Sequence, residues 1–83
     1  MLDLATERRH LAKAEIDIAA GERRIAQQAE LVARLHLGGH NTVQAEALLE
    51  TLRETLLSWQ DHRDLIRYTI ARLESETAPG RPR

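Results

Sequence analysis

The chain has no cysteine and no phenylalanine. Without cysteine it can form no disulfide, no thiolate metal site and no cysteine nucleophile. With one tryptophan and one tyrosine, its core must be aliphatic, and the aromatic platforms that stack single-stranded bases are missing. An excess of one charge is missing too. Twelve Lys and Arg stand against 13 Asp and Glu for a formal charge of −1, and the two signs are interspersed. No basic stripe is present of the kind a duplex binder needs. Long apolar runs are also absent, because Asp3, Glu7, Arg8 and Arg9 interrupt the N-terminal segment early. Neither a signal peptide nor a membrane span is expected, and a cytoplasmic location follows by default.

At 83 residues the chain is one small domain that can bury only a modest fraction of its surface. Proline is absent between Asp3 and His36, and Gly21 is the single glycine there. Asp3 is placed to cap a helix, and Glu7 suits the positive end of its dipole. Apolar residues then recur every seven positions: Leu4, Leu11, Ile18, Ile25 and Val32. A repeat of seven held over this length implies a helix supercoiled against a partner. Ala5, Ala12, Ala19, Ala26 and Ala33 form a second series at the same spacing. The unbroken spacing predicts close packing of a partner backbone there, against the plainer reading that alanine simply favours helix. Ile16, Leu31 and Leu35 lie away from the main row and suggest a second, weaker apolar surface. Glu30 and Arg34 form a favourable exposed pair one turn apart.

Helix-forming residues give way at Gly38-Gly39, followed by His40-Asn41-Thr42. Adjacent glycines supply the positive φ that ends a helix. Arg34 and His36 suit a helix C-terminus, Asn41 is a good N-cap, and Gln44 three residues on completes a capping-box pattern. A stop and a start so close together predict a tight bend between antiparallel helices. His36 and His40 invite a metal reading, but the glycines break the helix that would align them and no acid or cysteine stands beside them.

The second arm carries a heptad through Ala45, Leu49, Leu52, Leu56, Trp59, Arg63, Ile66, Ile70 and Leu73. Leu48 and Leu65 widen that stripe beyond what one facing helix covers, while Leu57 and Tyr68 project elsewhere. With equal rise along both helices, residues that meet across the hairpin should have numbers summing to about 78. Leu11 then meets Ile66, Ile18 meets Trp59 and Ile25 meets Leu52. Glu15 meets Arg63 as a polar pair that would fix register. Gly21 falls near Leu57 and Trp59, leaving room for the indole. Residues 76–83, with Pro79, Gly80 and Pro82, read as a flexible tail.

Little here suggests chemistry. Two helices form no pocket, and the acids are spread along wet faces. His62-Arg63-Asp64 matches a kinase catalytic-loop string but lies mid-helix without the other kinase elements. Glu7-Arg8-Arg9-His10 matches the Glu-x-x-His of di-iron bundles and occurs once, so a dimer would have to supply the second copy. No catalytic, cofactor-binding or metal residue is assigned.

Gly21-Glu22-Arg23-Arg24-Ile25-Ala26-Gln27-Gln28, Gly39-His40-Asn41-Thr42, Ala45-Glu46-Ala47-Leu48-Leu49, Leu52-Arg53-Glu54-Thr55-Leu56 and His62-Arg63-Asp64 resemble a group of short alphaproteobacterial helical-hairpin proteins. The likeness runs from about Gly21 to Ile70. That group has no established activity, so the resemblance implies a bacterial cytoplasmic hairpin and transfers no catalytic residue.

The expectation is an all-α protein: two long antiparallel helices over about 3–37 and 42–75, one domain over 1–75. Apolar surface left uncovered by the pairing predicts a homodimer, built as an antiparallel four-helix bundle, or another protein partner. The candidate interface residues are Leu48, Leu57, Leu65, Tyr68, Ile16, Leu31 and Leu35. The expected function is a non-enzymatic interaction module, a small regulator or adaptor, with no cofactor, nucleic acid or membrane. The alternative is a metal- or small-ligand-binding bundle whose histidines meet in a dimer.

Overall fold

Two antiparallel α-helices account for nearly all of residues 3–77, the part of the chain that the computed structural model describes: α1 (Leu4–Leu37) and α2 (Val43–Thr77). The termini of both follow from local chemistry. Asp3 is extended (φ −131°, ψ 152°). Its carboxylate accepts from the Thr6 amide at 2.9 Å and from the Thr6 hydroxyl at 2.8 Å. These bonds to the charged form, the amide first, hold the Asp3 carboxyl below its ordinary pKa.

At the other end, the His40 amide donates to the Leu35 carbonyl and the Gly39 amide to the His36 carbonyl. That pair of bonds is a Schellman closure, and it places Gly39 at φ 73°. Asn41 then accepts from the Val43 amide at 2.9 Å, an Asx turn that launches α2. The expected return bond from Gln44 is not made. Gln44 is exposed, and the cap rests on Asn41 and on the Thr42 carbonyl, which accepts from Glu46. α2 continues through Glu76 and Thr77, two residues into the expected tail. The rest of that tail, 78–83, lies outside the described residues.

The two helices pack along the expected seam. Leu4, Leu11, Ile18, Ile25 and Val32 are all buried or half-buried, as are Leu49, Leu52, Leu56, Trp59, Ile66, Ile70 and Leu73. The best-buried apolar residues are Ile18, Leu49, Ile66 and Ile70. The second series on α1 differs from expectation. Ala5, Ala12, Ala26 and Ala33 are exposed and only Ala19 is half-buried. The row that flanks the seam is instead Glu7, Ala14, Gly21, Gln28 and Leu35, every member buried or half-buried. In heptad terms these stand three residues beyond the leucine row, on the side that completes an a/d stripe. The alanines stand one residue beyond it, on the helix flank, where they contribute helix propensity.

A seam whose second row is Glu, Ala, Gly, Gln and Leu buries little. No large side chain is fully buried among the described residues. The molecule measures 66 × 20 × 16 Å with a radius of gyration of 19.1 Å, against about 12 Å for a compact domain of this length.

Candidate functional site

With two helices and no third layer, the seam is open along both flanks, and the flanks differ in chemistry. On one, ion pairs cross between the helices. Arg8 donates to Glu74 at 2.8 Å and Arg67 to Glu15 at 3.4 Å. One heptad forward on α1 corresponds to one heptad back on α2, so both pairs report one antiparallel register. Each side chain is about half exposed, and such pairs contribute roughly 0–1 kcal/mol each.

These contacts correct the expected polar pair. Glu15 meets Arg67, not Arg63. Side chains lean toward the N-terminus of their own helix. Glu15 therefore reaches toward the open end of the hairpin, where Arg67 stands a turn beyond Arg63. Arg63 stays on the seam with its side chain 23% exposed and bonds the neighbouring Asp64 at 3.0 Å.

The opposite flank carries no cross-helix ion pair among the described residues. From α1 it receives His10, Asp17, Arg24 and Leu31, one per heptad. From α2 it receives Gln44, Leu48, Thr51, Thr55, Ser58, His62, Leu65 and Thr69, a line with no Asp, Glu, Lys or Arg. Three threonine hydroxyls in that line donate to carbonyls one turn back: Thr51 to Ala47, Thr55 to Thr51 and Thr69 to Leu65. Those donors are satisfied inside the helix.

Shallow depressions lie along this flank. Near the bend, Arg24, Gln28, Leu31, Arg34, Leu48 and Leu52 line a groove of about 390 Å³. Its floor is fixed by Gln28, whose amide donates to the Ala45 carbonyl at 2.9 Å. Further along, Ala14, Asp17, Trp59 and His62 line about 140 Å³. Toward the open end, His10, Lys13, Ala14, Asp17 and His62 line about 350 Å³. Lys13 donates to Asp17 at 3.2 Å, and His10 lies 3.3 Å from the carboxylate of Glu7, itself buried against the seam.

The expected interface residues do not form one surface. Leu31 and Leu48 are brought together across the groove, with Leu65 farther along the same flank. Ile16, Leu57 and Tyr68 are exposed on outward positions of their helices. Leu35, expected with the outer group, is half-buried in the second seam row. Sequence reasoning missed the uncharged line on α2 and the role of Gln28. Both were legible as heptad positions, but only once the packed rows were known.

Among the described residues, no group of three His, Cys, Asp or Glu side chains is arranged to hold a metal ion. His36 and His40 are exposed, and the His40 ring folds over Gly38, where an added β-carbon would stand 2.9 Å from it. No helix among these residues is long and apolar enough to cross a membrane. No family model, curated protein or solved structure matches the chain.

Proposed function

We propose that the hairpin is a non-enzymatic protein–protein interaction module that associates with itself and serves as a small cytoplasmic regulator or adaptor. The observation that carries this reading is the uncovered flank, where Leu31, Leu48 and Leu65 stand exposed along a line of α2 with no Asp, Glu, Lys or Arg. The α2 side of this flank thus has the charge-poor, aliphatic composition of an interface core, with Arg24 and Arg34 of α1 at the margin of the Leu31–Leu48 groove. Two hairpins joined on such flanks would form a four-helix bundle, in which each seam gains the second layer it lacks. Small helical scaffolds commonly offset a thin core in this way.

Size-exclusion chromatography with light scattering, run over a concentration series, tests the reading. A dimer that dissociates on dilution is expected, and a folded monomer at every concentration into the micromolar range overturns it.

A second reading rests on a different observation. His10, Asp17 and His62 line one depression, so a dimer would bring two such sets near each other and could bind a metal ion. Metal analysis of untagged protein separates the two. Absence of bound transition metal, with melting unchanged by zinc or iron, dismisses the metal bundle.

A further inference from the structure

We infer that a second copy of this chain seats on the flank opposite the cross-helix ion pairs in antiparallel orientation, with Asp17 of each copy against Arg24 of the other. This rests on the self-association proposed above and adds the face and the register.

Asp17 and Arg24 occupy the same flank position of α1, one heptad apart. Among the described residues Arg24 has no acidic partner and Asp17 is held only by Lys13 of its own helix, whereas the cations at the corresponding places on the other flank, Arg8 and Arg67, are paired across the helices. A two-fold axis perpendicular to the helices, passing midway between Asp17 and Arg24, exchanges the two and forms the contact twice. A two-fold axis along the helices sets α1 of each copy against α2 of the other, where the facing line holds no Asp, Glu, Lys or Arg, so neither Asp17 nor Arg24 gains a partner of opposite charge across the interface.

The same axis is selected by overlap. The midpoint between Asp17 and Arg24 falls at Ala20 and Gly21, which is also the middle of α1 (Leu4–Leu37). Charge and length therefore choose one register independently. In it the hairpins overlap along their whole length. A flank about 50 Å long on a hairpin 20 Å across offers on the order of 1,000 Å² per chain, above the ~800 Å² per partner typical of stable complexes.

Reciprocal charge reversal tests the register. Asp17→Arg and Arg24→Asp should each weaken the dimer by about tenfold or more at low salt, and the double variant should recover most of that loss. Sedimentation equilibrium supplies the dissociation constants, with circular dichroism confirming helical content. Arg67→Glu, on the other flank, should leave dimerisation unchanged.

Because the chain has no cysteine, Leu31→Cys gives a second measurement. In the antiparallel register the two introduced thiols lie roughly 30 Å apart and form no disulfide with each other. A wild-type monomer defeats the self-association reading itself. A wild-type dimer indifferent to the swaps, or one not rescued by the double variant, overturns this face and register, and a ready Leu31→Cys disulfide dimer overturns the antiparallel orientation.

Discussion

At Gly21 the indole of Trp59 packs against bare α1 backbone, its Cζ3 atom 3.5 Å from where a β-carbon would stand. The Leu56 Cδ1 atom lies at the same distance. The neighbour is thus Leu56, on the seam, and not the exposed Leu57 that equal spacing suggested. Both distances are ordinary van der Waals contact, so the missing side chain is an economy of space that one methyl group would fill.

Gly21→Ala should therefore stabilise the hairpin. Alanine removes the conformational cost of a mid-helix glycine, roughly 0.5–1 kcal/mol, without displacing the indole. Gly21→Leu should do the reverse by about 1–3 kcal/mol through overpacking. Thermal melting of both variants at one protein concentration checks the sign, since self-association would make the midpoint concentration-dependent.

The bend responds differently. Gly39 sits at φ 73° with open space around it, so the objection to a side chain there is conformational. Gly39→Ala should cost about 1–2 kcal/mol and Gly39→Asn noticeably less, because asparagine visits the left-handed region more readily. Denaturant unfolding of the three proteins orders them glycine, asparagine, alanine from most to least stable.

Acid should loosen the start of α1. The Thr6 amide and hydroxyl hold the Asp3 carboxyl below its ordinary value of 3.8. A depressed folded pKa contributes stability above the unfolded value and loses it as pH falls through the folded one. Asp3→Asn keeps an acceptor for the Thr6 amide but cannot titrate. The wild-type chain should lose helical signal relative to Asp3→Asn only below the ordinary aspartate range. Paired acid titrations by far-ultraviolet circular dichroism read the difference, and superimposable curves would count against the cap.

Arg63 occupies a seam position yet is held by Asp64 on its own helix, so it gives the opposite helix no partner. Arg63→Leu should raise stability by about 1 kcal/mol, as removal of charges from partly buried positions often does. The same change should make association less selective, because a polar group in an apolar seam restricts register. Urea unfolding gives the first quantity. Light scattering gives the second, as species larger than the wild-type assembly.

Much of the fold was legible before any coordinates. The glycine pair, Asn41 and the row from Leu4 to Val32 each act through local backbone chemistry or through periodicity, and both are properties of sequence. The flanking row was not legible. Alanines at Ala5, Ala12, Ala19, Ala26 and Ala33 kept the more regular spacing, whereas Glu7, Ala14, Gly21, Gln28 and Leu35 share no chemistry that marks them as neighbours. Glu15 likewise had two arginines within reach, Arg63 and Arg67. The lean of its side chain along α1 chose between them.

The sequence by itself determined two helices, the place of the bend between them, and the row of α1 that must be buried. Only the tertiary structure decided how each helix is rotated about its axis, and hence which side of that row faces α2. A seven-residue spacing is the same for every heptad position, so it cannot distinguish one flank from the other. That rotation is set by how Trp59 fits over Gly21 and by which long side chains can cross. It also decides which flank is laced with cross-helix ion pairs and which is left open.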